Sequence, residues 1–154
     1  MLGDMALRDV KDEDLAVFFE HQRDPEASRM AAFPARERDA FFAHWRAKVL
    51  ANPGSRKMTV VVDGEVAGNM LSWEQDERRL VGYWIGREHW GRGVATAALA
   101  EFVADHEKTR PLFAHVATRN VASLRVLEKC GFRRDGESET GEDGAEELLM
   151  RLDR

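Results

Sequence analysis

Residues 78–99 read "RRLVGYWIGREHWGRGVATAAL". The first half is a strand, rich in Leu80, Val81, Tyr83, Trp84 and Ile85 and closed by Gly86. The second half turns on Gly91 and Gly93 and enters a helix expected from Val94 to about His106, with Ala95, Ala98, Leu99, Phe102 and Val103 on its apolar face. The next run, "PLFAHVAT" at 111–118, is again a strand, and "NVASLRVLEKC" at 120–130 a helix begun by Asn120 and stopped by Gly131. Strand, helix, strand, helix in that order requires a crossover, and so at least one parallel pair of strands.

The flanking segments place that pair inside an otherwise antiparallel sheet. Upstream, "RKMTVVVDGEVAGNMLSW" at 56–73 is two β-rich runs joined at Asp63-Gly64, a strong hairpin signal. With a polar turn at Glu74 to Glu77, these runs and the strand of 78–86 form a meander. "MALRDV" at 5–10 is a short strand, and Asp12 reads as the N-cap of a helix in "EDLAVFFEHQ" carrying Leu15, Phe18 and Phe19 at helical spacing. A second helix spans "PARERDAFFAHWRAKVLANPG", with Pro34 near its start, Phe41, Phe42, Trp45 and Val49 on one stripe, and Pro53-Gly54 as its stop. "FRRDGE" and "EELLMRLDR" close the chain as two strands around an acidic loop. The expected fold class is α+β (mixed α/β), a mostly antiparallel sheet of six to seven strands with about four helices.

Composition narrows the function classes. The 154 residues are expected to form one domain, residues 1–154, large enough to bury a core unaided. Acidic residues number 28 against 23 basic, for a net charge of −5, and no basic block gathers them into a nucleic-acid surface. No run of about 18 apolar residues suggests a membrane span. The lone Cys130 cannot form an internal disulfide and reads as a small buried hydrophobe, and "MLGDMALRDV" lacks the pattern of a signal peptide, so a soluble cytoplasmic protein is expected. The histidines at 21, 44, 89, 106 and 115 have no metal-ligand spacing, and no metal site is expected.

The glycine turn departs from two familiar phosphate-cradling motifs. A P-loop needs Lys and then Ser or Thr after its second glycine, where this chain has Val94 and Ala95. A dinucleotide fingerprint would place a third glycine at Thr96 and would open a βαβ domain rather than follow a meander. What remains is a helix N-terminus preceded by small residues, which suits an anion. A tight turn with nothing bound stays open on the glycines alone.

Two motifs together carry a resemblance. "WGRGVA" places Gly93 and Ala95 at the small positions of the pyrophosphate turn of the GNAT superfamily of acyl-CoA-dependent N-acyltransferases, with Trp90 where Gln or Arg is usual. About 30 residues on, Asn120, Ser123, Lys129, Gly131 and Phe132 match a second motif of the same family, and the Trp-Gly pair resembles its RimJ/RimL-like branch. The resemblance implies acetyl-CoA as cosubstrate. Backbone N–H groups from Arg92 through Val94, Ala95 and Thr96 would hold its pyrophosphate, with Gly91 and Gly93 allowing the approach. The strand at 83–86 would splay from the one at 113–118, leaving unpaired backbone groups at Trp84, Ile85 and Gly86 for the pantetheine amides. Asn120 and Ser123 would sit beside the sulfur, and Lys129 joins the implied coenzyme-binding set. Trp90, flanked by glycine with little core to enter, is expected to cover the coenzyme or the acceptor channel.

Acetyl transfer to an amine needs a neutral amine, an oxyanion donor and a proton for the departing thiolate. Many members of the family supply that proton from a Tyr on the helix of 121–129, where this chain has Leu127, so the resemblance leaves Ser123 as the hydroxyl, with Asn120 beside it. Candidate bases are Glu74 and His115. A lysine amine is neutral about once in 2,500 molecules at pH 7, an α-amine about once in 5 to 10, so an N-terminal acceptor could work with a weak base or an ordered water, while a lysine or polyamine would need a positioned carboxylate or His. The hypothesis of a cationic acceptor rests on Glu137, Glu139, Glu142 and Asp143 in the last hairpin. The favoured reading is an N-acetyltransferase acting on a peptide, protein or small-molecule amine, as a monomer or homodimer. A non-catalytic acyl-CoA-binding or sensing domain is the alternative, resting on Leu127.

Overall fold

Two tight turns without long loops lay down the first half of the sheet. Asp63 and Gly64, at φ 49° and 82°, join β2 (Arg56–Val62) to β3 (Glu65–Gln75) in the left-handed geometry that matches strand twist. Asp76 and Glu77, at φ 53° and 63°, repeat it between β3 and β4 (Arg78–Ile85) without a glycine. The polar turn expected from Glu74 is therefore shorter: Glu74 belongs to β3 and pairs in register with Arg79. The computed structural model describes residues 3–31, 35–136, 138–140 (backbone alone at Glu139) and 146–154.

Among the described residues the chain forms β1 (Met5–Asp9), the meander β2 to β4, then β5 (Leu112–Ala117), β6 (Arg133–Arg134), β7 (Glu139–Thr140) and β8 (Glu146–Leu152). The sheet order is β1-β2-β3-β4-β5-β8-β6, with β7 also on β8. One pair, β4 with β5, is parallel, as the crossover requires. It is registered only at Arg79 with Leu112 and Leu80 with Phe113, so beyond Leu80 the two strands part. Neighbouring strands pair fully on both sides, β4 with β3 through Ile85 and β5 with β8 through Ala117.

Among the described residues five α-helices cover the sheet: α1 (Asp14–Arg23), α2 (Pro25–Ala31), α3 (Arg38–His44), α4 (Val94–Glu101) and α5 (Val121–Lys129). The sequence pattern marks all but the seven-residue α2, too short to show a period. α3 and α4 continue as π-helical turns, Trp45–Leu50 and Phe102–His106. Regular α3 begins at Arg38, and Pro34, expected near its start, lies outside the described residues. Asp12 does not cap α1. Its carboxylate pairs with Arg46 at 3.1 and 3.2 Å, and Asp14 serves the helix start instead, accepting from the Lys11 N–H at 2.8 Å. Asp14 also takes both Arg8 nitrogens (2.7 and 2.9 Å) and the Thr59 hydroxyl (2.8 Å), tying α1 to β1 and β2.

Two cores lie on the two faces of the sheet. α4 and α5 press Leu99, Phe102 and Leu127 against Val60, Met70, Val81, Ile85 and Leu112. α1 and α3 pack Leu15, Phe18, Phe41 and Trp45 over Val66 and Leu71. At the closed end of the parting strands, buried Glu107 accepts from the Ser72 hydroxyl (2.6 Å), Arg79 Nε (2.7 Å) and the Thr109 N–H (3.2 Å), with Arg56 at 3.7 Å. One carboxylate thus holds β2, β3 and β4 together at the point where β5 begins to leave them.

Candidate active site

Two cavities meet where β4 and β5 part. The first, about 460 Å³, lies between the end of β4 and the starts of α4 and α5. Of the thirteen residues expected to bind a coenzyme, eleven line it: Trp84, Ile85, Trp90, Gly91, Gly93, Val94, Ala95, Thr96, Asn120, Ser123 and Lys129. Its described lining holds Arg125, Lys129 and His89 and no carboxylate, which favours an anion. The first intrahelical bond of α4 runs from the Ala97 N–H to the Gly93 carbonyl (3.0 Å), so the N–H groups of Val94, Ala95 and Thr96 are the helix's unpaired donors at the cavity. Gly91 and Gly93 sit at φ 75° and 77°, and a Cβ on either would meet no atom within 4 Å. Positive φ, not crowding, demands glycine here, and the space beside it is open. Such a donor set fits a diphosphate.

The other two expected residues stand apart. Gly86 does not present free backbone groups: its N–H donates to the Ala67 carbonyl (2.8 Å) and its carbonyl accepts from the His89 N–H (2.9 Å). Antiparallel pairing alternates, so with Gly86 bonded toward β3, Trp84 also faces β3, and Tyr83 and Ile85 turn their backbone groups to the gap. Of the expected three only Ile85 turns its backbone to the gap, and Tyr83 joins it in place of Trp84 and Gly86. Gly86 is glycine because a Cβ would lie 2.5 Å from Nε2 of buried His21. Arg92 points its side chain to His89 Nδ1 (3.4 Å) and Asp63 (3.8 Å).

Trp90 has more to do than cover the channel. It packs against the main core, lines the first cavity and donates its indole N–H to the Ile85 carbonyl at 2.8 Å. It therefore holds one gap-facing carbonyl of β4 and leaves the others accessible. Cys130 is half-buried, bonds the Thr96 carbonyl at 3.5 Å and has its thiol pushed up by burial, a packing role between α5 and α4.

On α5, Asn120 caps the helix by accepting from the Ser123 N–H at 3.2 Å. Ser123 is bonded in turn through Oγ to the phenol of Tyr83 at 2.7 Å. Sequence reasoning missed this partner, although Tyr83 is the chain's single tyrosine and lies on the strand that parts. Leu127, where many members of the family have a tyrosine, is buried in the core. Tyr83 lines both cavities, and burial pushes its phenol up to about 12 against the lowering by Ser123. It stays protonated at any neutral pH.

The second cavity, about 690 Å³, opens on the α1 and α3 side. It holds Glu74, together with Arg36, His44 and Lys48 and an aromatic wall of Phe18, Phe41, Trp45, Trp73 and Trp84. His115 lines neither cavity: it is exposed on β5, 4.0 Å from Glu147. Glu137, Glu142 and Asp143 lie outside the described residues, as does the Glu139 side chain. Among the described residues no group of three His, Cys, Asp or Glu could hold a metal ion, and no helix is long and apolar enough to cross a membrane.

Residues 4–133 match the acetyltransferase (GNAT) domain. Over 59 residues the chain is 42% identical to the probable N-acetyltransferase YjcK of Bacillus subtilis, covering 36% of this chain and 33% of that one; the match spans about a third of that relative's length. Spermidine N-acetyltransferase from Vibrio cholerae in complex with CoA and spermine superposes with a TM-score of 0.80 at 16% identity, over 96% of this chain and 94% of that one. The aminoglycoside acetyltransferase AAC(6')-Ib in complex with coenzyme A gives 0.77 at 21% identity, over 98% and 95%.

Proposed function

Since the chain belongs to the acetyltransferase (GNAT) domain family, we propose that it moves an acetyl group from acetyl-CoA to a primary amine by direct transfer, donor and acceptor occupying the two cavities together. The observation that carries this is the Tyr83–Ser123 hydroxyl pair, which lies in the wall of the first cavity with Tyr83 reaching the second. In this reading the unpaired N–H groups at the start of α4 hold the pyrophosphate, and the gap-facing backbone of Tyr83 and the Ile85 N–H pair with the pantetheine arm. The RimJ/RimL-like placement belongs to the same proposal, on Trp90-Gly91 and Asn120–Ser123.

The chemistry needs little from the protein beyond placement and one hydrogen-bond chain. The amine nitrogen attacks the thioester carbon, a C–N bond forms and the C–S bond breaks. Ser123 Oγ, held by the Asn120 cap and the Tyr83 phenol, donates to the sulfur as it gains charge. The proton that finally rests on sulfur comes from the attacking nitrogen, by way of Glu74 or water, so neither hydroxyl changes state over the cycle. A thiol near pKa 8.5 is already a fair leaving group, which suits so weak an acid as this pair.

Release of CoA thiol from acetyl-CoA with a panel of peptides, polyamines and aminoglycosides tests the reading. Tyr83→Phe and Ser123→Ala are each expected to lower kcat about 10- to 100-fold, with the KM for acetyl-CoA changed less than about threefold. Acetyl-CoA binding without turnover on any amine would identify a binding or sensing domain instead.

A further inference from the structure

The second cavity carries a charge pattern that a polyamine would not meet with favour. Among its described lining residues, Arg36, His44 and Lys48 stand against one carboxylate, Glu74. The three bases are not scattered. His44 and Lys48 are one helical turn apart, and burial, with the positive charges of Arg36 and Lys48 close by, holds the His44 imidazole below its usual pKa. The backbone at Arg36 is pinned beside the same wall by buried Gln22, which donates to the Arg36 carbonyl (3.0 Å) and accepts from its N–H (3.0 Å). Glu74 lies on β3, in register with Arg79. The aromatic side chains of Phe41, Trp45 and Trp73 line the same cavity.

From this excess of bases over carboxylates in a cavity walled by aromatic side chains we infer that the acceptor is an amine whose molecule also carries an anionic group and an apolar body. The anion lies toward Arg36, His44 and Lys48, and the amine toward Tyr83. The inference rests on the acetyltransferase reading and adds to it the class of substrate. A carboxylate and a phosphate monoester would both satisfy two cations and an imidazole N–H.

Matched pairs decide it: L-phenylalanine against L-phenylalaninamide for a carboxylate, O-phosphoethanolamine against ethanolamine for a phosphate, and spermidine as polycation. One anionic partner is expected to exceed its neutral twin by about tenfold or more in kcat/KM, and spermidine to be poorer than both. Lys48→Ala is expected to raise the KM for that acceptor about tenfold, to shrink the preference over the neutral twin to within about threefold, and to leave the KM for acetyl-CoA unchanged. Neutral twins or spermidine turned over as well as the anionic amines would overturn the inference while leaving acetyl transfer intact. If no amine is turned over although acetyl-CoA binds, the transferase reading fails, and calorimetry still decides the pocket: equal affinity of L-phenylalanine and its amide for the CoA-bound protein overturns the inference, and tighter binding of the acid supports it.

Discussion

Gly86 and Gly93 lie seven positions apart and need glycine for different reasons. At Gly93 the backbone is left-handed with open space around it, so Gly93→Ala is expected to cost about 1 kcal/mol through strain alone, with acetyl-CoA affinity lowered as the turn shifts. At Gly86 the φ is ordinary and the space is taken by the His21 ring. Gly86→Ala is expected to cost about 1 to 3 kcal/mol by overpacking. Urea unfolding of both variants separates the two, since His21→Ala should relieve part of the cost of Gly86→Ala and none of that of Gly93→Ala. A result in which His21→Ala rescues neither would leave the contact without energetic weight. Sequence can mark both glycines, but which of them faces open space and which a buried imidazole depends on α1, some 65 residues earlier in the chain.

At the scale of elements, the parting of β4 from β5 is held at its closed end by Glu107. Its hydrogen bonds with Ser72, Arg79 and Thr109 outweigh burial and hold its carboxyl down at about 2, from an ordinary 4.5. A folded-state pKa below the unfolded one means that the stabilisation is complete above about pH 4.5 and is lost as pH falls toward 2. Over that window the loss is on the order of 3 kcal/mol. Glu107→Gln should destabilise the protein at pH 7 and flatten the acid limb of a stability-against-pH curve; an unchanged acid limb would show that other carboxylates govern it. The clasp was invisible in the sequence, where Glu107 is one of several charges after a helix. By contrast the hairpin at Asp63-Gly64, the crossover and the Asn120 cap were legible, because each is written in residues adjacent in the chain.

Over the whole molecule, two cores on opposite faces leave the sheet continuous except beside the second half of β4. The backbone there should behave differently from the rest. Amides of Tyr83 and Ile85, which face the gap, are expected to exchange quickly in the free protein and about tenfold or more slowly with saturating acetyl-CoA, while Trp84 and Gly86 stay protected in both states. Equal protection of all four in the free protein would mean that the strands close in solution. Sequence by itself determined the order of the main strands and of every helix but α2, the need for a parallel pair and the glycine turn before α4, because periodicity, turn chemistry and capping act between near neighbours. Only the tertiary structure decided that Tyr83 meets Ser123, that Gly86 yields to His21 while Ile85 faces the cleft, and that Arg36, His44 and Lys48 share a cavity with Glu74. These depend on where two cores pull neighbouring strands apart, a balance of packing that no local run of residues encodes.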